Sequence, residues 1–250
     1  MSQPRKIRCT VEAITDHGER VYTVDLAPRT AVPAFRAGQF LHLTVDPYDP
    51  AGFWPESRVF SIASSPHERR QLRICYSVKG RYTTLMERTL QVGGEVWVKL
   101  PYGDFIIDEQ RDAVLIAGGT GISAFTALLE ALAPQGSPAV TLVYGVRTPG
   151  LLLFREMMLR QLAAVPKLKL VFFTETADAA FAQQMSALPR APRCLTGRID
   201  LAALCPPGSA PGPATSVFYL SGPPVMLKAL ATDLQTRGIA RENIRTDAWE

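Results

Sequence analysis

The N-terminal part of the chain consists of short runs in which apolar and polar positions alternate. Six such runs, rich in β-branched and aromatic residues, are separated by glycine, proline and aspartate: KIRCTVEAIT, ERVYTVDLA, QFLHLTV, SRVFSIAS, QLRICYSV and EVWVKL. Runs of this kind between turn-forming residues are typical of β-strands. We therefore predict a small six-stranded antiparallel barrel, with one helix near residues 83–90.

After Asp112 the pattern changes, because strand-like apolar runs now alternate with helical spacing. The predicted strands are AVLIA, AVTLVYGV, LKLVFFT and VFYLSG, and the predicted helices are ISAFTALLEAL, GLLLFREMMLRQLAAV, a segment near residues 178–188, and VMLKALATDLQTRG. Strand–helix alternation indicates a parallel, doubly wound sheet. The patterns predict two domains, a β-barrel at 1–108 and an α/β domain at 109–250.

The stretch GGTG, residues 118–121, lies between a predicted buried strand and a predicted helix. Residues 113–129 are uncharged, but this run is shorter than the ~20 residues of a membrane-spanning helix and glycines interrupt it. Glycines let a ligand approach the backbone, and a helix N-terminus offers free N–H groups. The turn therefore suits a pyrophosphate, although a tight turn without a ligand would have the same pattern.

Composition and charge narrow the function classes. The chain has 250 residues, of which 47% are hydrophobic and 20% are charged, as in ordinary globular proteins. The four cysteines form no CxxC pair and the three histidines are scattered, so we expect no metal centre. With no export signal, a cytoplasmic location is expected. The net charge of +4 without a long basic run argues against nucleic acid; the basic surface either meets an acidic partner or is simply solvated.

Several short segments together resemble the ferredoxin–NADP reductase family. They follow one another in that family's order and at its distances: RVFSIASSP (58–66), GRYTTLM (80–86), PYGDF (101–105), AGGTGIS (117–123), YGVRT (144–148) and SGPPVM (221–226). The resemblance covers nearly the whole chain. It implies a flavin-binding barrel and a sheet domain that binds NAD(P)H.

On the barrel, the resemblance implies that the flavin is held by Arg58, Phe60, Ser61, Gly80, Thr83 and Thr84. The guanidinium of Arg58 can contact phosphate oxygens with two N–H groups. The ring of Phe60 can lie against the flavin, where the family more often has tyrosine. Ser61 resembles the serine near flavin N5, the atom that takes the hydride, and is a candidate catalytic residue. FAD is favoured, with FMN as the alternative.

On the sheet, the resemblance implies that the pyrophosphate of the nicotinamide cofactor lies against Gly118, Gly119 and Gly121, with Thr120 at the nicotinamide end. Ser221 stands where the family usually has cysteine, close to the carbon that transfers hydride, and is the second candidate catalytic residue. The C-terminal sequence TDAWE resembles an acid-x-aromatic ending. This makes Asp247 a catalytic candidate near N5. Trp249 is then expected over the flavin, or else packed between domains.

The choice between NADH and NADPH depends on two charged residues. Arg147 could contact a 2′-phosphate. Glu175, however, stands where NADPH-specific relatives carry arginine, and a carboxylate repels phosphate but accepts a hydrogen bond from a ribose hydroxyl. The sequence therefore favours NADH.

These expectations define a flavoprotein reductase that passes hydride from NADH or NADPH to flavin, and then single electrons to a separate acceptor protein. The sequence contains no plant-type cysteine cluster, so the acceptor is expected to be separate: a ferredoxin, a flavodoxin, an oxygenase component or a haem protein, or else a small molecule such as free flavin or a ferric chelate. Two alternatives remain open. One is a flavin-free NAD(P)-dependent dehydrogenase, and the other is a non-catalytic redox-sensing or docking subunit.

Overall fold

Six antiparallel strands form the N-terminal sheet in a computed structural model that describes residues 3–206, 209, 211–213 and 215–247. The strands and the single helix of this region are β1 (Arg5–Asp16), β2 (Val21–Pro28), β3 (Phe40–Thr44), β4 (Arg58–Ser61), β5 (Leu72–Ser77), α1 (Arg81–Thr89) and β6 (Glu95–Tyr102). Their order across the sheet is β4-β3-β6-β1-β2-β5. Beyond the end of β4, Ala63 N donates to Arg73 O of β5 at 2.8 Å, which brings the two sheet edges together. The nearly closed barrel confirms the predicted fold of this half.

The alternation in the sequence becomes the inside and outside of the barrel. In β1 the side chains of Ile7, Cys9 and Val11 are buried, while the residues between them are exposed or half-buried. Helix α1 adds Tyr82 and Met86 to this core. Burial of such side chains is the main stabilising contribution, because each removes apolar surface from water.

A second sheet follows, with six parallel strands and helices between them. Its elements are β7 (Ala113–Gly118), α2 (Ser123–Ala131), β8 (Val140–Val146), α3 (Arg155–Ala164), β9 (Leu168–Thr174), α4 (Ala179–Ser186), β10 (Arg193–Thr196), β11 (Val217–Ser221), α5 (Pro224–Thr236) and β12 (Ile244–Asp247). The order is β10-β9-β8-β7-β11-β12. All six residues of β7 are buried, as expected for a central parallel strand. The predicted doubly wound sheet is confirmed.

The chain divides into two compact units. One comprises Met1–Ile106 and Ser123–Ala127, and the other comprises Ile107–Ile122 and Leu128–Glu250. In the part of the chain that the structure describes, no helix is both long and apolar enough to cross a membrane.

Three features of the second sheet differ from the sequence prediction. Strands β10 and β12 were not predicted; each has only four residues, most of them partly or fully exposed, so neither carries a strong apolar pattern. The predicted helix GLLLFREMMLRQLAAV was too long. Residues Pro149–Leu151 form a 3-10 turn, and Phe154 has a left-handed backbone with φ 58°, so the helix begins only at Arg155.

Candidate functional site

The carboxyl ends of β7 and β11 lie side by side in the second unit. The chain leaves β7 towards β8 on one side, while β11 lies on the other side, and Ser221 pairs with Ala117 in the parallel register. Such a reversal of strand order is where open α/β sheets bind their ligands. The predicted cofactor turn, residues 118–121, and Ser221 therefore lie next to each other at the carboxyl ends of the parallel strands.

The three glycines of the turn meet different steric demands. Gly119 has φ 54°, and a Cβ placed there would have no atom within 4 Å, so its backbone faces open space. A Cβ on Gly121 would lie 2.4 Å from the carbonyl oxygen of Ser221, and one on Gly118 would lie 2.6 Å from Met226 Sδ. Gly119 thus leaves room for a ligand, while Gly118 and Gly121 let the chain after β7 pack against the chain after β11. Thr120 is half-buried in the same 3-10 turn.

Ser221 and Asp247 form a buried pair at the ends of β11 and β12. The parallel register places them opposite each other, and Ser221 Oγ donates to Asp247 Oδ2 at 2.8 Å. Their exposed fractions are only 3% and 6%, and Asp247 Oδ1 has no hydrogen-bond partner among the described residues. Burial raises the pKa of Asp247 from 3.8 to about 6, and the hydrogen bond from Ser221 opposes this rise. The carboxyl can therefore gain or lose a proton close to neutral pH.

The two residues predicted to discriminate between NADH and NADPH follow neighbouring strands. Arg147 comes after β8 and Glu175 after β9, and the two connections are held together by hydrogen bonds from Glu175 N to Val146 O (3.1 Å) and from Thr176 N to Arg147 O (3.0 Å). Both side chains belong to exposed residues. A third charged residue, Arg198, was not predicted from the sequence; its Nε lies 3.4 Å from Glu175 Oε2. Arg198 follows β10, the short strand that the sequence did not reveal.

On the barrel, the predicted flavin residues Arg58, Phe60 and Ser61 lie in β4, which pairs with β3. Phe60 is partly buried against the barrel core, and its ring centroid lies 6.1 Å from that of Tyr76. Ser61, at the end of the strand, is half-buried opposite Phe40. All three are within the first unit, whereas the nucleotide-side residues belong to the second.

The predicted phosphate turn before α1 is ordered by Thr83. Its Oγ1 accepts hydrogen bonds from Lys79 N (3.0 Å) and Gly80 N (3.1 Å) and donates to Gly80 O (3.2 Å). Thr84 N donates to Gly80 O at 2.9 Å, which starts the helix. Gly80 is exposed, and a Cβ placed on it would have no atom within 4 Å. The turn is thus preformed and open on its outer side.

Three residues that were not predicted as site residues lie close to Arg58 or to its ion-pair partner. Glu56 contacts both Arg58 and Arg81, and the guanidinium carbon of Arg58 lies 4.9 Å from the ring centroid of Tyr82. Arg81 and Tyr82 lie within GRYTTLM, so their position in this motif could have identified them as site residues from the sequence. Trp249, the predicted aromatic over the flavin, lies outside the described residues.

Comparison with known proteins agrees with this architecture. Residues 115–232 match the family model described as the oxidoreductase NAD-binding domain. The chain is 30% identical over 235 residues to a flavohemoprotein of Chromobacterium violaceum, covering 88% of this chain and 54% of the relative. It is 35% identical over 118 residues to the anthranilate 1,2-dioxygenase electron transfer component of Acinetobacter baylyi, covering 46% of this chain and 33% of the relative.

A solved structure shares the fold over almost its full length. It is the flavohem-like FAD/NAD binding domain of nitric oxide dioxygenase from Vibrio cholerae, with a TM-score of 0.75, 22% identity, and coverage of 96% of this chain and 97% of that one. Residues 115–232 thus match an oxidoreductase NAD-binding domain, and the chain as a whole has the fold of the ferredoxin–NADP reductase type. It spans about half of the length of the flavohemoprotein and one third of the electron transfer component.

Proposed function

We propose that this chain is a flavoprotein reductase that takes a hydride from NAD(P)H and delivers electrons to a separate acceptor protein. The observation that carries this proposal is the combination, in one chain, of an arginine-bearing barrel strand with a glycine turn at the switch point of a parallel sheet. The first suits a flavin phosphate and the second suits a nicotinamide dinucleotide.

The barrel residues fit a flavin nucleotide. Arg58 and Arg81 supply two guanidinium groups next to an open turn at Gly80, and Phe60 presents a partly exposed aromatic ring on the same strand as Arg58. When bound, the flavin would supply the redox chemistry, since its ring accepts a hydride and can release electrons singly. FAD is the proposed cofactor, as in the FAD/NAD binding domain from V. cholerae, with FMN as the alternative.

The sheet residues fit NAD(P)H. Gly119 leaves space for the pyrophosphate beside the backbone of the 3-10 turn. We propose that Ser221 contacts the nicotinamide, and that Asp247, through its hydrogen bond, holds Ser221 Oγ in place and gains or loses a proton near pH 6. The negative charge of Glu175 favours NADH, because it would repel a 2′-phosphate.

The acceptor is proposed to be a separate protein that accepts single electrons. The relative from A. baylyi is itself an electron transfer component of a dioxygenase, while the relative from C. violaceum is a flavohemoprotein. An acidic partner would complement the net charge of +4, with a solvated basic surface as the alternative. A cytoplasmic location remains a prediction from the sequence.

Anaerobic absorbance titration tests the proposal. The full chain is supplied with FAD, freed of excess, and titrated with NADH or NADPH. One equivalent of NADH should bleach the visible flavin bands of one equivalent of bound FAD, and cytochrome c or ferricyanide should then restore them. Failure to retain any flavin, with NADH still bound, would favour the flavin-free dehydrogenase; a yellow protein that NADH and NADPH leave unbleached would favour the non-catalytic subunit.

A further inference from the structure

On the outside of the barrel, one carboxylate contacts two guanidinium groups. Glu56 Oε1 lies 3.1 Å from Arg58 Nη2, and its other oxygen, Oε2, accepts a hydrogen bond from Arg81 Nη2. Hydrogen bonding by Arg81 is the main cause that lowers the pKa of Glu56, so the carboxylate stays ionised. The Glu56 carboxylate is therefore already ion-paired with both arginines of the proposed flavin phosphate site.

The position of Arg58 does not depend on Glu56 alone. Its guanidinium lies over the ring of Tyr82, with 4.9 Å from the guanidinium carbon to the centroid, and its Nη1 donates to Ser57 O at 2.9 Å. Tyr82 is 2% exposed, and its hydroxyl donates to Glu56 O at 3.0 Å. The buried ring thus contacts both the backbone at residue 56 and the guanidinium of Arg58, and neither contact involves the Glu56 carboxylate.

The ion pairs of the Glu56 side chain are exposed, and another anion can replace the carboxylate in such pairs at little cost. Its side chain is 38% exposed, and those of Arg58 and Arg81 are 46% and 76% exposed. Exposed ion pairs contribute little to stability, because water screens the charges and both side chains lose freedom. The diphosphate of FAD carries two negative charges where a carboxylate carries one, and its unbridged oxygens can accept paired hydrogen bonds from guanidinium groups.

We propose that Glu56 is an internal competitor for the flavin phosphates, which displace it from Arg58 and Arg81, and that Arg81 is a second cation of that site. This inference rests on the proposed flavin-binding function. The carboxylate holds the two guanidinium groups together in the free protein and weakens cofactor binding by the strength of the contacts that must be broken.

The test compares flavin affinities of the flavin-free full chain. In Glu56→Gln the amide keeps the size of the side chain and removes its charge, so the dissociation constant for FAD, measured by quenching of FAD fluorescence, should fall about 5-fold. Arg81→Gln should raise that constant by about 5-fold or more, because a charged hydrogen bond to phosphate is lost.

A matched control exists on the same unit. Glu95 also contacts two arginines, Arg8 and Arg29, and its side chain is 36% exposed. Glu95→Gln changes the net charge by the same amount and should leave FAD affinity within about 2-fold, because Arg8 and Arg29 are not among the proposed flavin contacts. Riboflavin, which has no phosphate, serves as the second control, and its affinity should be the same in the wild type and in Glu56→Gln.

The outcomes separate this proposal from the proposed function. Tighter binding of FAD to Glu56→Gln, with no change for riboflavin or for Glu95→Gln, supports the competition. Unchanged or weaker FAD binding to Glu56→Gln, in a protein whose wild type binds FAD and whose Arg58→Ala variant binds it more weakly, overturns the competition alone. A wild type without measurable FAD binding overturns the proposed function and the competition together.

Discussion

Replacing Asp247 by asparagine should change how the stability of the flavin-free protein depends on pH. The carboxyl of Asp247 is buried, and burial raises its pKa from 3.8 to about 6. The folded chain therefore binds this proton more tightly than the unfolded chain does. Below the unfolded pKa both states are protonated and no penalty exists. As the pH rises towards the folded pKa, the stabilisation by the proton is progressively lost.

The magnitude follows from the difference between the two pKa values. A shift from 3.8 to about 6 is roughly two pKa units, or about 3 kcal/mol in all at about 1.4 kcal/mol per unit. Part of this is already lost at pH 4, so the wild type should lose roughly 2 kcal/mol between pH 4 and pH 7 through this group. Asparagine does not titrate. The free energy of unfolding of Asp247→Asn, relative to the wild type, should therefore rise by roughly 2 kcal/mol over that range. The fixed cost of packing the amide cancels in this comparison.

Urea unfolding, followed by circular dichroism at several pH values, measures this difference. Carboxyl-carbon NMR of the wild type would give the pKa directly. Glu242→Gln, an exposed carboxylate in the same unit, is the control and should change stability by less than about 0.5 kcal/mol at every pH. In Ser221→Ala the pKa of Asp247 should rise further, because the hydrogen bond that lowers it is removed. If the stability difference between Asp247→Asn and the wild type stays constant from pH 4 to pH 7, the pKa of Asp247 is not raised by burial.

Three other predictions concern the cofactor contacts and the glycine turn. Arg58→Ala should weaken FAD binding by about 10-fold to 100-fold, because a charged hydrogen bond to phosphate contributes about 1.5–3 kcal/mol; full flavin occupancy after dialysis would contradict the assignment. Glu175→Arg should raise the ratio of kcat/KM for NADPH to that for NADH by roughly 10-fold, and an unchanged ratio in steady-state rates would place Glu175 outside the site. Gly121→Ala should destabilise the protein by about 1–3 kcal/mol in urea unfolding, because its Cβ would meet the carbonyl oxygen of Ser221 at 2.4 Å. Gly150→Ala is the control with room for a Cβ, and equal losses in both variants would contradict the steric reason.

Strong local patterns account for the part of the fold that the sequence predicted. The apolar residues of β7 are all buried. In β1 the alternating apolar and polar residues lie in the core and on the surface, respectively. In both cases burial acts on each residue through its own side chain, so the pattern can be read without knowing the partner strands. Strand β10 was missed because its two terminal residues are exposed and its two central ones only half-buried.

The residues of the candidate site were predictable where they lie in motifs. Contacts between two such residues were not, as the Ser221–Asp247 pair shows. Each residue was selected separately, one from SGPPVM and one from the C-terminal resemblance. Their hydrogen bond depends on the parallel register between β11 and β12, and β12 has a burial pattern that no strand prediction would favour. The raised pKa follows from that placement, since an aspartate in an exposed tail would have no such environment.

Glu56 shows a second kind of information that motifs omit. The motif RVFSIASSP describes the side chains that a bound flavin would touch, and Glu56, two residues before Arg58, lies outside it. In the folded barrel the same two guanidinium groups are already paired with this carboxylate, so in the proposed competition the free energy of flavin binding is a difference between two sets of ion contacts. A substitution outside the motif can therefore strengthen cofactor binding, whereas substitutions within it are expected to weaken that binding.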